Sequence, residues 1–153
     1  AGVVRDGGCA PVVVVVGAGA DEVRATANLG GVSVVDNPEW ESGMGSSLRV
    51  GLAALSGVDV VAALVVPVDT PGMTVEAVRR VRGLAGPGVL ARATYDGVPG
   101  HPVLIGREHW AGVCELATGD AGARPYLKVH PAIEVPCGDV ASGLDVDRPE
   151  DLP

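Results

Sequence analysis

The sequence predicts an α/β domain with a mostly parallel sheet, and three observations carry that prediction. Short continuous apolar runs, at residues 12–16 and 60–66, have the length of strands buried on both faces. Segments of helical spacing lie between such runs; one is 46–55, with Leu48, Leu52 and Leu55 on one face. Hydrophobic residues make up 47% of the chain, yet there is no Phe and aromatics are only 3%. A core of Val and Ala suits strands packed closely against helices.

Each element follows in order. Residues 1–8 read as the end of a helix running into the Gly7-Gly8 stop. Residues 11–16 form a strand, Gly17-Ala18-Gly19 a turn, and 21–28 a helix with acidic residues in its first turn. Gly30-Gly31 ends that helix, 32–35 is a second strand, and 36–45 is a polar loop leading to the helix 46–55. The third and most apolar strand, 59–66, runs into Pro67-Val68-Asp69-Thr70-Pro71. A helix at 74–84 is capped by Thr74, with Glu76 in its first turn. Then come a strand at 89–95, a turn at 96–100, a short strand at 102–105 and a helix at 107–117. A short helix or turn at 120–127 and a last strand at 129–135 follow, and 147–152 opens a final helix. Alternating strands and helices of this kind make one α/β domain, and no repeat, linker or low-complexity tract divides residues 1–153.

Composition excludes several classes. No apolar run approaches the roughly 20 residues that span a bilayer. The net charge is −8 with a single lysine, Lys128, which argues against a nucleic-acid groove. Cys9, Cys114 and Cys137 are odd in number and far apart, so they read as reduced thiols of a cytoplasmic protein. There is no zinc-type Cys/His spacing, no G-x-S-x-G elbow and no Gly-Lys-Ser/Thr phosphate loop.

In an open α/β sheet, ligands bind beyond the carboxyl ends of the strands. Asp69 stands at such an end after nine apolar positions. It is placed either to ligate Mg²⁺ or to form a turn at a strand end. Asp145 and Asp147 alternate on an extended segment and so point the same way, whereas Asp147 before Arg148-Pro149-Glu150-Asp151 also makes a good helix start. Asn37 opens the loop that carries Gly43, Met44, Ser46 and Ser47. Its glycines let backbone approach a ligand, and its serines stand at a helix N-terminus, where they serve an anion or simply cap the helix. His101, between Gly100 and Pro102, is a substrate contact or an ordinary turn residue. Asp120 and Arg124 have the spacing of a helical ion pair, while the Arg124 fork also suits a phosphate or carboxylate.

Taken in order, these pieces resemble the molybdenum cofactor cytidylyltransferases and the small nucleotidyltransferases around them. The matching set runs from residues 11–17 through Asn37, Trp40, Gly43-Met44 and Ser46-Ser47 to Val68-Asp69-Thr70-Pro71. It continues through Gly100-His101-Pro102, Trp110 and residues 119–124 to residues 144–152. The resemblance implies a Rossmann-like three-layer sandwich of the nucleotide-diphospho-sugar-transferase type. It implies transfer of CMP from CTP to the phosphate of molybdopterin, with release of pyrophosphate. By resemblance, Asp69 and Asp147 are the catalytic, Mg²⁺-binding acids, with Asp145 a further metal contact. Asn37, Gly43, Met44, Ser46, Ser47 and Asp69 fall on the nucleotide side, and His101, Asp120 and Arg124 face a phosphorylated pterin. A molybdoenzyme is the implied partner.

One family feature has no counterpart: the Gly-rich loop L-A-A-G-x-S-x-R-M-G-x-x-K that holds the triphosphate. A strand, that loop and part of a helix, roughly 30 residues, are therefore expected to be missing from the domain, leaving the chain alone weakly active or inactive. Two alternatives share many of these residues: a related nucleotidyltransferase using GTP or another phosphorylated acceptor, and a non-catalytic module that binds a nucleotide or a partner.

Overall fold

The valines of the first apolar run form β1 (Val13–Val16), which pairs in parallel with β2 (Ser33–Asp36), Val14 opposite Val34. In this computed structural model residues 2–16, 33–39, 43–67, 72–117 and 122–141 are described. They fall into two units, each treated by itself. The expected helix at 21–28, the expected terminal helix at 147–152, Trp40, Asp69, Asp120, Asp145 and Asp147 lie outside the described residues.

The first unit takes Ala10–Val60 and Glu108–Pro131. Its helix α2 (Met44–Leu55) packs on β1 and β2 and buries Leu52. Leu48, Leu52 and Leu55, four and three residues apart, supply that apolar stripe. The helix starts two residues earlier than serine capping predicts. Its N-cap is Gly43, at φ 104°, a backbone conformation that glycine adopts without a steric penalty. A short 3₁₀ turn, Arg107–His109, leads into α4 (Trp110–Leu116), and α5 (Arg124–Val129) packs against α4. Arg49 of α2 donates a hydrogen bond to the Ala117 carbonyl at the end of α4, satisfying an acceptor that the helix leaves open.

The second unit takes Gly2–Cys9, Val61–Arg107 and Ala132–Pro153. It holds α1 (Gly2–Asp6), β3 (Ala62–Val65), α3 (Val75–Arg82), β4 (Leu90–Tyr95), β5 (Val98–Gly106) and β6 (Ile133–Pro136). The strands form one sheet in the order β3-β5-β4-β6. β5 runs antiparallel to both neighbours, and β6 is parallel to β4. The fold class holds, with parallel pairing at β1–β2 and β4–β6; the return of β5 along β4 was expected, and its antiparallel pairing with β3 was not.

Local chemistry explains the elements of this unit. Thr74 caps α3 by accepting from the Ala77 amide at 3.2 Å, and such caps are worth about 1 kcal/mol. Ala77, Val78 and Val81 form the buried stripe of α3, while Arg79, Arg80 and Arg82 gather at its C-terminus, where the helix dipole favours cations. The core joins Met73, Val78, Val81, Ala91, Ala93, Leu104, Val135 and Cys137.

β4 turns into β5 through Asp96-Gly97 alone, both at positive φ (54° and 81°), with Tyr95 opposite Val98. That is the two-residue hairpin loop matching the right-handed twist of its strands. The expected turn at 96–100 is thus two residues long, and the returning strand begins at Val98, four residues before the expected start. The last strand is also corrected: Val129 ends α5, and β6 starts at Ile133.

Candidate functional site

Asn37 leaves the end of β2, where its amide donates to the Val16 carbonyl at 2.8 Å. Its side chain is 2% exposed, as is Ser46 on the first turn of α2. The Asn37 amide group donates to Ser46 Oγ and Ser47 Oγ, both at 2.9 Å, and Asn37 Oδ1 accepts from the Glu39 amide at 3.0 Å. Ser46 Oγ in turn lies 3.0 Å from the Glu39 carbonyl oxygen and 2.9 Å from that of Gly43, so its one proton is shared between them. Buried polar groups are stable only when so satisfied.

The structure brings Asn37, Gly43, Ser46 and Ser47 together at the start of α2. The side chains of Asn37 and Ser46 are spent on the loop itself, tying its entry to its exit. Ser47, partly exposed, stands beside them. A glycine cap brings no side-chain acceptor to the first-turn amides of α2, and such amides favour an anionic or polar ligand edge. The Met44 side chain lies outside the described residues.

His101, in the second unit, is on β5 rather than in a turn. Thr94 pairs with Pro99 and Arg92 with Val103, so Ala93 alone faces Gly100, His101 and Pro102. The motif is a bulge. The His101–Pro102 peptide is cis. Tyr95 Oη donates to the His101 carbonyl oxygen at 2.5 Å. Burial, and secondarily the nearby Cys137, push the Tyr95 phenol above its ordinary value.

Arg124 is exposed on the first turn of α5. One cluster that the sequence did not single out centres on Tyr126 of the same helix. Tyr126 Oη is 2.6 Å from His109 Nδ1, and the Tyr126 ring stacks on His130 at 4.2 Å between centroids. Histidines 21 residues apart in the chain gave no spacing to find it by.

α3 grips the segment after β6 at two points. Thr74 Oγ1 donates to the Val140 carbonyl at 2.8 Å. Arg80 donates to the Pro136 carbonyl at 2.7 Å and to both Asp139 oxygens at 2.8 and 3.2 Å. The Arg80 hydrogen bond holds the Asp139 carboxyl below its ordinary value, helped by its own backbone amide. Among the described residues no three His, Cys, Asp or Glu side chains gather as a metal site. No described helix is long and apolar enough to cross a membrane.

A parallel β1–β2 pair feeding a tied loop at a helix N-terminus, with a mixed sheet beside α3, is the architecture of nucleotidyltransferase-type α/β proteins. The chain belongs to the MobA-like NTP transferase domain family, whose description matches residues 1–134, and so to the transferase enzymes. Among curated proteins it is 38% identical to the nicotine blue oxidoreductase of Paenarthrobacter nicotinovorans, over 95% of this chain and 75% of that one. The crystal structure of Rv0371c from Mycobacterium tuberculosis H37Rv superposes with a TM-score of 0.81 at 28% identity, covering 98% of this chain and 77% of that one. The same protein in complex with manganese gives a TM-score of 0.81 at 27% identity, covering 98% and 79%. A nucleotidyl transfer enzyme from Methanothermobacter, at 18% identity, shares the fold with a TM-score of 0.77 over 98% of this chain and 73% of that one.

Proposed function

We propose that this nucleotidyltransferase moves CMP from CTP to the phosphate of molybdopterin. The observation that carries the reading is the tied loop at the N-terminus of α2, a rigid polar frame that suits a nucleotide base and ribose. The ordered motifs from Asn37 to residues 144–152 support the acceptor. An oxygen of the acceptor phosphate attacks the α-phosphorus of CTP, and the bond to pyrophosphate breaks. The attacking phosphate is already ionised, so no general base is needed. Asp69, Asp145 and Asp147 are hard oxygen donors, which fit Mg²⁺ or Mn²⁺ rather than a thiolate-seeking metal. A divalent ion there supplies charge neutralisation on the phosphates. The relative that binds manganese is consistent with that donor set. Ser47 and the α2 amides bind and orient the nucleotide, while His101, Asp120 and Arg124 bind the acceptor. The whole of residues 1–153 acts as one domain, working in the cytoplasm, and a molybdoenzyme receives the product.

Titration calorimetry of CTP and GTP, with and without Mg²⁺, tests this. Mg²⁺-dependent binding of CTP that is lost in Asp69→Ala supports the reading. Equal binding of CTP in that variant, or preference for GTP, overturns the cytidylyl assignment.

One observation favours a second reading. The 38% identical relative is named an oxidoreductase. On that reading the same loop holds a nicotinamide or flavin nucleotide, and a heterocycle in the acceptor half is reduced. Oxidation of a reduced nicotinamide nucleotide dependent on an added heterocycle, without release of pyrophosphate, would select it.

A further inference from the structure

The bulge at residues 100–102 is shaped by a residue that the sequence motif does not contain. Three residues of β5 stand opposite one residue of β4, between the pairs Thr94–Pro99 and Arg92–Val103. Bulges of this kind re-aim side chains and recur beside active sites. Tyr95, the last residue of β4, holds the bulge at two places. Its hydroxyl donates to the His101 carbonyl oxygen at 2.5 Å. Its ring lies over Gly100, where an added Cβ would come 2.9 Å from Cε2 and 3.0 Å from Cδ2. The glycine of the motif is thus the residue that the Tyr95 ring requires, and the position of the histidine backbone is the one its hydroxyl selects.

We infer that Tyr95 is a positioning residue for the acceptor, holding the Gly100-His101-Pro102 bulge in the conformation that presents His101. This rests on the proposed reading that His101 faces the phosphorylated pterin. The hydrogen bond is made to the backbone, so its loss shifts the bulge without removing any side chain that meets the ligand. The ring stays in Tyr95→Phe, which separates the hydrogen bond from the packing.

The test uses the full chain, with molybdopterin binding followed by pterin fluorescence and CTP binding by calorimetry. Tyr95→Phe is expected to weaken molybdopterin binding about three- to tenfold, the range of one net hydrogen bond. Its CTP affinity stays that of the parent chain, and its melting temperature falls by no more than the few degrees that one hydrogen bond is worth. His101→Ala weakens molybdopterin binding as well, and the double variant loses less than the product of the two single effects, because both act through one element. If His101→Ala weakens binding and Tyr95→Phe does not, the inference alone is overturned. A parallel fall of melting temperature and of both affinities in Tyr95→Phe assigns it a purely structural role and overturns the inference too. If the parent chain does not bind molybdopterin, or His101→Ala binds it unchanged, the acceptor assignment fails and takes this inference with it.

Discussion

At the scale of single residues, Asn37 shows how a ligand-facing pattern and a structural one share a sequence. Its amide, Ser46 and Ser47 were legible as one group because they recur in order with other motifs. Their burial was not legible, since a loop between a strand and a helix gives no periodicity to say which side chains turn inward. Removing the amide in Asn37→Ala takes the donor from buried Ser46 Oγ and from Ser47 Oγ, and the acceptor that the part-buried Glu39 amide uses. Such a loss costs about 1–3 kcal/mol. Urea unfolding is expected to report that loss, and nucleotide affinity is expected to fall with it, because the loop loses its tie. The thiols make a second prediction. Burial pushes Cys9, Cys114 and Cys137 upward, and the arginine near each only partly offsets this. Alkylation by iodoacetamide at neutral pH should therefore be slower at all three than for free cysteine, with fully buried Cys137 slowest.

At the scale of elements, α3 and the hairpin carry most of what was correct and most of what was not. The Thr74 cap of α3 was readable because capping is a local signal. The 100–102 segment misled for an equally local reason: Gly and Pro mark turns more often than bulges. What sets the true turn is Asp96-Gly97, and what sets the bulge is pairing with β4, which no local pattern reports. Gly106 closes β5 against the 86–88 bend. An added Cβ would come within 2.7 Å of the Gly86 carbonyl oxygen and closer still to that of Pro87. Both obstacles are backbone, so Gly106→Ala should destabilise by about 1–3 kcal/mol, as overpacking does; the urea midpoint checks it. The Arg80–Asp139 pair gives a pH-dependent prediction. A carboxyl held low in the folded state adds stability above its unfolded value, about 3.9, and loses it as pH falls through the folded value. The melting temperature of Asp139→Asn should accordingly lie below that of the parent chain at neutral pH, and the gap should close on acidification below about pH 4. Both partners are well exposed, so high salt should narrow the gap as well.

At the scale of the whole molecule, the α/β class and its family were legible from the alternation of elements and the ordered motifs. The return of β5 after its turn was legible as well; its antiparallel pairing with β3 was not, because a partner so distant in the chain leaves no mark in either strand's own residues. The acids singled out as metal ligands make the remaining prediction. A bound nucleotide stabilises the folded chain according to its concentration relative to its dissociation constant. CTP should therefore raise the melting temperature in the presence of Mg²⁺ or Mn²⁺. Chelation with EDTA, or Asp69→Ala, should cancel the rise.

The central strand also has a consequence in time. Val103, Leu104 and Ile105 are buried and paired on both sides, with β3 and with β4. Amides so placed open only when the whole unit does, so theirs should be among the last to exchange with deuterium. The histidine bulge begins one residue away. A ligand gripping the bulge stabilises the folded unit, so its occupancy should be readable as slower exchange at Leu104 long after the amides of the loops have exchanged.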